Sequence, residues 1–294
     1  MQQTKVLNVT IDNLTMVELL QKLKHGGVVF TPNVNHITRL QKQPDFYSVY
    51  QEADYIVCDS KILMYASQFL NTPIKEKISG SDLLPAFYNY YKNDETIKIF
   101  LLGSETEIVK KAQRRINAKV GREIVVGAYS PSFGFEKNEE ECQEIVKMIN
   151  SSTATVLAVG VGAPKQEMWI SKYKEQLKNI TVFLAIGATI NFEAGTVKRS
   201  PKWMSEVGLE WLYRLASEPK RLWKRYFFDV IPFFLLILKQ KLHIYQNPWV
   251  SEQQMHITNW DDLKFSQAFG MREASLAMTS ETESAVQEQT QVRS

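Results

Sequence analysis

The sequence predicts an α/β fold built on a parallel sheet with helices on both faces. Two observations carry this. From Ile97 onward, short apolar runs alternate with helical patterns long enough to cross back over a sheet. Several of these runs also stop at glycines or small polar residues before the next helical pattern, as at Gly103-Ser104, Gly160-Val161-Gly162 and Gly187-Ala188-Thr189. In parallel sheets those stops lie at the carboxyl edge, where ligands bind.

In chain order, Val6 to Ile11 reads as a strand and Thr15 to Lys24 as a helix capped by Asn13 or Thr15. Gly26-Gly27 ends that helix, and Val28 to Thr31 is the next strand. Asn35 to Gln41 reads as helical, and Pro44 opens a second short helix. Ile56 to Cys58 is a buried strand, followed by a helix from Lys61 to Leu70. Ser81 is the expected cap of a helix starting at Asp82. Further strands are expected at Ile97 to Leu102, Glu123 to Ala128, Thr155 to Gly160 and Val182 to Ile186. Helices fill the intervals to Val120, from about Asn138 to Asn150, and to Leu177.

The texture changes after Gly195. Lys198 to Lys202 leads into an expected helix from Trp203 to Ser217, which Pro219 breaks or kinks. A basic stretch, Lys220 to Tyr226, precedes an uncharged run from Val230 to Leu238. At ~1.5 Å per residue that run spans about half of a ~30 Å hydrocarbon core, so it cannot cross one. Flanking cations and aromatic residues suit a segment lying in the interface of an anionic membrane. A C-terminal core helix or a subunit contact is the plain alternative, and a homo-oligomer stays open. The expected division is 1–195 for the α/β core, 196–249 for a basic, aromatic helical appendage, and 250–294 for a polar, disordered tail.

Composition narrows the function. With 294 residues the chain can hold one large α/β domain, and a formal charge of +3 gives no argument for nucleic acid. Two cysteines and four scattered histidines make no zinc spacing. The cysteine usage suits a reducing compartment, and no export signal opens the chain. Gly160 to Glu167 is not G-x-G-x-x-G, which argues against a dinucleotide cofactor. In that stretch the two glycines let backbone approach a ligand, Pro164 fits a first helical position, and Lys165 and Gln166 bring a cation and an amide to the edge. Asp59, at the end of an apolar strand, is either a carboxylate poised as a base or the cap of the helix from Lys61. Asp82 has the same two readings and leans toward the cap. No D-x-D triplet occurs. Negative charge on a leaving diphosphate would therefore fall to Lys77, Arg214, Lys220, Arg221, Lys224 and Arg225, of which Arg214, Arg221 and Arg225 share a face on a continuous helix.

Five ordered motifs resemble the WecG/TagA/CpsF glycosyltransferases: Thr31-Pro-Asn-Val-Asn, Ala53-Asp-x-x-x-x-Asp59, Ser79-Gly-Ser-Asp82, Gly162-Ala-Pro-Lys-Gln-Glu167, and Gly208-Leu-Glu-Trp-x-x-Arg214-Leu with Glu218-Pro-x-Arg221. The resemblance covers about Val6 to Tyr226. It implies a Rossmann-like core and an inverting, metal-independent transferase. Such an enzyme moves a sugar, N-acetylmannosamine or a related one, from a UDP-sugar onto a polyprenyl-diphosphate-linked acceptor at the cytoplasmic membrane face. By resemblance, Asp59 matches the proposed base, Thr31, Asn33 and Gln166 match positions that hold donor sugar or diphosphate, and the C-terminal arginines match an appendage that completes the site. The chain departs from the family pattern at Ser60 (usually Gly), Lys77 (usually Arg) and Asn191 (often Asp, near the base-binding end). Ser60 and Lys77 also keep open a rival reading, a non-catalytic nucleotide-sugar-binding protein docked on a membrane.

Overall fold

The computed structural model describes residues 2–197, 199, 201, 204, 212–213 and 219–249, with 219–229 described in backbone alone. Most of the expected helix Trp203 to Ser217, the candidate Arg214 and the expected disordered tail lie outside the described residues.

The expected strand Val6 to Ile11 is instead a hairpin, β1 (Gln3–Val6) paired antiparallel with β2 (Val9–Asp12). The turn is made by Leu7, at φ 55°, and Asn8, so no glycine or proline signals it. Helix α1 (Met16–Lys22) starts at Thr15, whose hydroxyl accepts from the Glu18 N–H while Glu18 reaches back to the Thr15 N–H at 2.7 Å. This reciprocal pair satisfies two backbone donors that a helix start leaves open.

The main sheet takes its strands in the order β4-β3-β8-β7-β5-β6, and all are parallel. They are β3 (Gly27–Phe30), β4 (Tyr55–Ile56), β5 (Ile99–Gly103), β6 (Val125–Tyr129), β7 (Val156–Gly160) and β8 (Val182–Ala185). Alternate residues of each strand feed two separate apolar cores. Phe100, Leu102, Leu157, Val159 and Phe183 face one, while Ile99, Leu101, Val156, Ala158 and Leu184 face the other. Burial on both faces explains why these strands read as continuous apolar runs.

The first core is covered by α2 (Val34–Leu40), α3 (Pro44–Gln51), α4 (Lys61–Phe69), α7 (Glu139–Asn150) and α8 (Lys165–Tyr173). The second is covered by α1, α5 (Gly80–Tyr90), α6 (Thr106–Val120) and the short α9 (Thr189–Ala194). The architecture is thus the expected Rossmann-like sheet between helical layers.

The last described helix, α10 (Pro219–Lys241), begins at Pro219 and packs against α2. Phe233 and Ile237 enter the first core. The Gln240 side chain accepts from the Leu7 N–H at 2.8 Å and donates to the Lys5 carbonyl at 3.0 Å, which fixes the helix to the β1–β2 hairpin. Ile231, Phe234, Leu235, Leu238 and Leu242 are exposed on the opposite side. The run expected to lie in a membrane interface is therefore apolar on both sides, with one stripe buried in the fold and a second one facing out. Among the described residues no helix is long and apolar enough to cross a membrane.

Candidate functional site

The order of the strands places the site. β5 continues to β6 on one side, and the chain then returns past β5 to β7 and β8 on the other. The loops leaving β5 and β7 therefore diverge, which opens a crevice at the carboxyl edge between them. A cavity of about 550 Å³ occupies it, lined by Ser104, Ser130, Phe133, Gly162, Lys165 and Asn191, among others.

The cavity walls are tied together. Ser104 Oγ donates to Asn191 Oδ1 at 2.6 Å, and Ser130 Oγ donates to the Ser104 carbonyl at 2.6 Å. The first bond engages the Asn191 oxygen, so its amide end is the one able to donate to a carbonyl. Lys165 Nζ lies 2.7 Å from Glu136 Oε1 and 4.9 Å from the centroid of the fully exposed Phe133 ring. Burial alone would raise the Glu136 pKa, but Lys165, a backbone hydrogen bond and the nearby Lys137 together outweigh it and hold the carboxyl below its ordinary range.

Gln166 lies beneath this cavity rather than in it. It is buried, and its Oε1 accepts from the Gly187 N–H at 3.0 Å and the Gly162 N–H at 3.3 Å. Its Nε2 donates to Glu167 Oε1 at 2.8 Å. The amide expected to meet a ligand directly is taken up in joining the exits of β7 and β8. Pro164 is the residue before α8 and not its first helical residue; the helix starts at Lys165. Gly160 also lines the cavity, and its lack of a side chain lets β7 and the β8 exit come together, since a Cβ there would lie 2.7 Å from the Gly187 carbonyl oxygen. Gly162, at φ 84°, has open space around it and lines the cavity.

Thr31 and Asn33 follow β3. Thr31 is buried, and Asn33 caps α2: its Oδ1 accepts from the Asn35 N–H at 3.0 Å and its own N–H donates to His36 Nδ1 at 3.2 Å. Asp59, half-buried, follows β4, and its N–H donates to the Pro32 carbonyl at 2.9 Å. It is not the cap of α4. Ser60 is, with its Oγ accepting from the Leu63 N–H at 3.4 Å. The capping alternative for Asp59 is thereby removed. The neighbouring Cys58 thiol is buried, and burial pushes its pKa up to about 12, so it stays a thiol.

Lys77 lies 3.8 Å from Asp82 Oδ2, and Arg199 also pairs with the Asp82 carboxylate. Ser79, not Ser81, caps α5, and Asp82 sits three residues on, accepting from Ser79 Oγ at 2.6 Å. Gly80 lets this helix start approach β8, because a Cβ would lie 2.9 Å from Ile186 Cα. Arg221 and Arg225 lie on the α10 backbone, with side chains outside the described residues.

Thr31, Asn33, Asp59, Gln166 and the cavity residues therefore belong to one edge of one sheet. At ~4.8 Å between strands, the switch between β5 and β7 lies about 14 Å from the ends of β3 and β4. Thr31, Asn33 and Asp59 stand at one end of that line and Asn191 at the other, with Gln166 between. His36 and Glu167, both buried and 3.5 Å apart, join the start of α2 to α8 beside Gln166 and were not singled out in the sequence. Glu167 closes one quoted motif and His36 directly follows another, but only the fold brings them together. Among the described residues, no three His, Cys, Asp or Glu side chains converge as metal ligands would.

The chain is 27% identical over 225 residues to an "N-acetylglucosaminyldiphosphoundecaprenol N-acetyl-beta-D-mannosaminyltransferase" of Staphylococcus aureus strain MW2, covering 74% of this chain and 85% of the relative. A Bacillus subtilis strain 168 protein of the same description is 25% identical over 248 residues, covering 82% and 93%. The family model described as "Glycosyl transferase WecG/TagA/CpsF family" matches residues 4–247, which span the whole sheet, its carboxyl edge and α10. The chain therefore belongs to the WecG/TagA/CpsF family of glycosyltransferases.

Proposed function

We propose that this glycosyltransferase moves an N-acetylmannosamine-type sugar from a UDP-sugar to a polyprenyl-diphosphate-linked N-acetylglucosamine, with inversion and without a metal. The observation that carries the reading is the cavity at the switch point, which lies on the same sheet edge as Asp59. A nucleotide seated there, with its base toward Asn191, sends its diphosphate along the exits of β7 and β8. The exposed Phe133 ring at the lip offers a face to the planar base. The sugar then reaches Thr31, Asn33 and Asp59. The relatives' descriptions support the choice of acceptor and transferred sugar.

The Asp59 carboxylate removes the proton from the acceptor hydroxyl. The freed oxygen attacks the anomeric carbon from the face opposite the diphosphate, the C–O bond to UDP breaks, and the configuration inverts. Lys77, Arg214, Arg221, Arg225 and the backbone N–H groups at the edge meet the developing charge. No resident cofactor takes part.

The outward stripe of α10, continued by the exposed Phe69 of α4 under Lys241 Nζ at 5.3 Å, supports peripheral docking on the cytoplasmic face of an anionic membrane. The lipid-linked acceptor would reach the site from there. The deciding experiment is a donor screen that measures UDP release by purified protein with a short-chain lipid-linked N-acetylglucosamine. UDP-N-acetylmannosamine should be turned over only when the acceptor is present. Binding of UDP without acceptor-dependent release from any UDP-sugar would instead favour a non-catalytic binder.

A further inference from the structure

Glu167 is 1% exposed, and a buried carboxylate is retained only where something holds it. Its Oε1 accepts from Gln166 Nε2 at 2.8 Å and lies 3.5 Å from His36 Nε2. His36 Nδ1 accepts from the Asn33 N–H, so the proton of a neutral ring resides on Nε2, which faces the carboxylate. The same carboxylate thus touches two groups that each govern part of the site.

The first group is Gln166. An amide presents oxygen at one end and hydrogens at the other, so giving its Nε2 to Glu167 turns its Oε1 toward Gly162 and Gly187. A reversed amide would point hydrogens at two N–H donors. The second group is His36, which with the Asn33 cap sets the first turn of α2 beside Thr31. Glu167 Oε2 and Tyr50 Oη are both buried and make no hydrogen bond among the described residues. An apolar side chain at 167 would spare the fold an incompletely paired charge. Stability alone therefore does not account for a carboxylate here.

We propose that Glu167 is a positioning residue for the donor. It locks the exits of β7 and β8 through Gln166, locks the start of α2 through His36, and holds both ends of the donor site in register. This rests on the donor placement proposed above, so the test needs one arm that uses no donor.

In the full chain, Glu167→Gln keeps the shape but places an amide where a carboxylate oxygen accepts from Gln166 and faces the His36 ring nitrogen. Hydrogen exchange read by mass spectrometry should show faster exchange in both segments, 31–40 and 160–191, with 99–103 unchanged. Loosening of one segment alone, or of neither, would overturn the coupling even if no UDP-sugar proved to be a substrate. In turnover, donor KM should rise about tenfold or more, the scale of losing a charged hydrogen bond, with a smaller change in kcat. A purely structural role would lower the folded, active fraction and leave KM within twofold, which would also overturn the proposal. His36→Ala removes one arm without unpairing Gln166 and serves if Glu167→Gln does not fold. It should loosen 31–40 and raise donor KM while leaving 160–191 as in the wild type. Unchanged exchange at 31–40 in that variant would refute the His36 arm.

Discussion

Phe233 and Phe234 are neighbours on α10 with opposite fates, and the reading of that helix makes them separable. Phe233 is 0% exposed in the first core, and Phe234 is 53% exposed on the outward stripe. Truncating a buried phenylalanine to alanine costs roughly 3–5 kcal/mol. In a domain of this size each kcal/mol moves Tm by roughly 2–4 °C, so Phe233→Ala should lower Tm on the order of 10 °C. Phe234→Ala should move Tm by less than about 2 °C. On a membrane the order reverses. A phenylalanine carries roughly 200 Å² of surface, so the exposed half of Phe234 offers about 100 Å² to lipid. At ~25 cal/mol per Å² that is about 2.5 kcal/mol, or up to roughly sixtyfold in partitioning. Thermal melting and flotation with anionic vesicles, run on both variants, read the two effects separately. Equal melting losses would show that the two side chains are not on opposite sides of the helix. Unchanged flotation of Phe234→Ala would show that the outward stripe does not meet lipid.

Three further outcomes follow from the site. Asp59→Asn should reduce transfer by about 10²–10⁴-fold and leave UDP binding nearly intact, because it keeps the shape and removes the base; a variant with more than about a tenth of wild-type turnover would remove Asp59 from the chemistry. Turnover should survive EDTA, and a rate that collapses on chelation and returns with Mg²⁺ or Mn²⁺ would show that a metal meets the diphosphate. For Asp82, burial alone would raise the pKa, but Ser79, Arg199 and Lys77 outweigh it and hold the carboxyl below its ordinary value. A depressed folded pKa adds stability above the unfolded value of ~3.9 and loses it as pH falls through the folded one. Wild type should therefore melt above Asp82→Asn near pH 6, with the gap narrowing as pH falls below about 4; a gap as large at pH 3 as at pH 6 would assign the stability to something other than the ionised carboxylate.

The central strands β5, β7 and β8 were legible because burial on both faces turns them into unbroken apolar runs that stop at Gly103, Gly160 and Gly187. The hairpin was not, since Leu7 and Asn8 make its turn without the usual glycine. Asp59 and Ser60 are both good caps, and sequence alone leaves that tie. The fold breaks it by carrying backbone pairing with the β3 side one residue further, through Asp59 N–H to Pro32, so the cap falls on Ser60. Ser79 was readable from its spacing: a serine three residues before an acidic residue is a pattern that marks a helix start. Gln166 was correctly placed at the edge, but the direction of its amide depends on Glu167, Gly162 and Gly187, which only the fold assembles. In α10 both stripes are apolar, so no polar periodicity marked which one was buried.

The joint between β7 and β8 supplies a sharper test of how that edge is held. Alanine in place of glycine in a strand ordinarily gains about 0.5–1 kcal/mol. At Gly160 the new Cβ would meet the Gly187 carbonyl oxygen at 2.7 Å and Ile190 Cδ1 at 2.9 Å. The isoleucine can turn its end away, but the carbonyl belongs to a loop whose N–H is fixed to Gln166 at 3.0 Å. The clash should win, with a net cost of roughly 1–3 kcal/mol. If Gln166 is what pins the loop, Gly160→Ala should cost less in a Gln166→Ala background, where Gly187 can move aside. Denaturant unfolding of the two single variants and the double variant measures this, and a coupling of about 0.5 kcal/mol or more is expected for groups in contact. Strict additivity would mean that Gly187 is held by the sheet itself. Gln166 would then return to the role the sequence first suggested, as a group that meets the ligand directly.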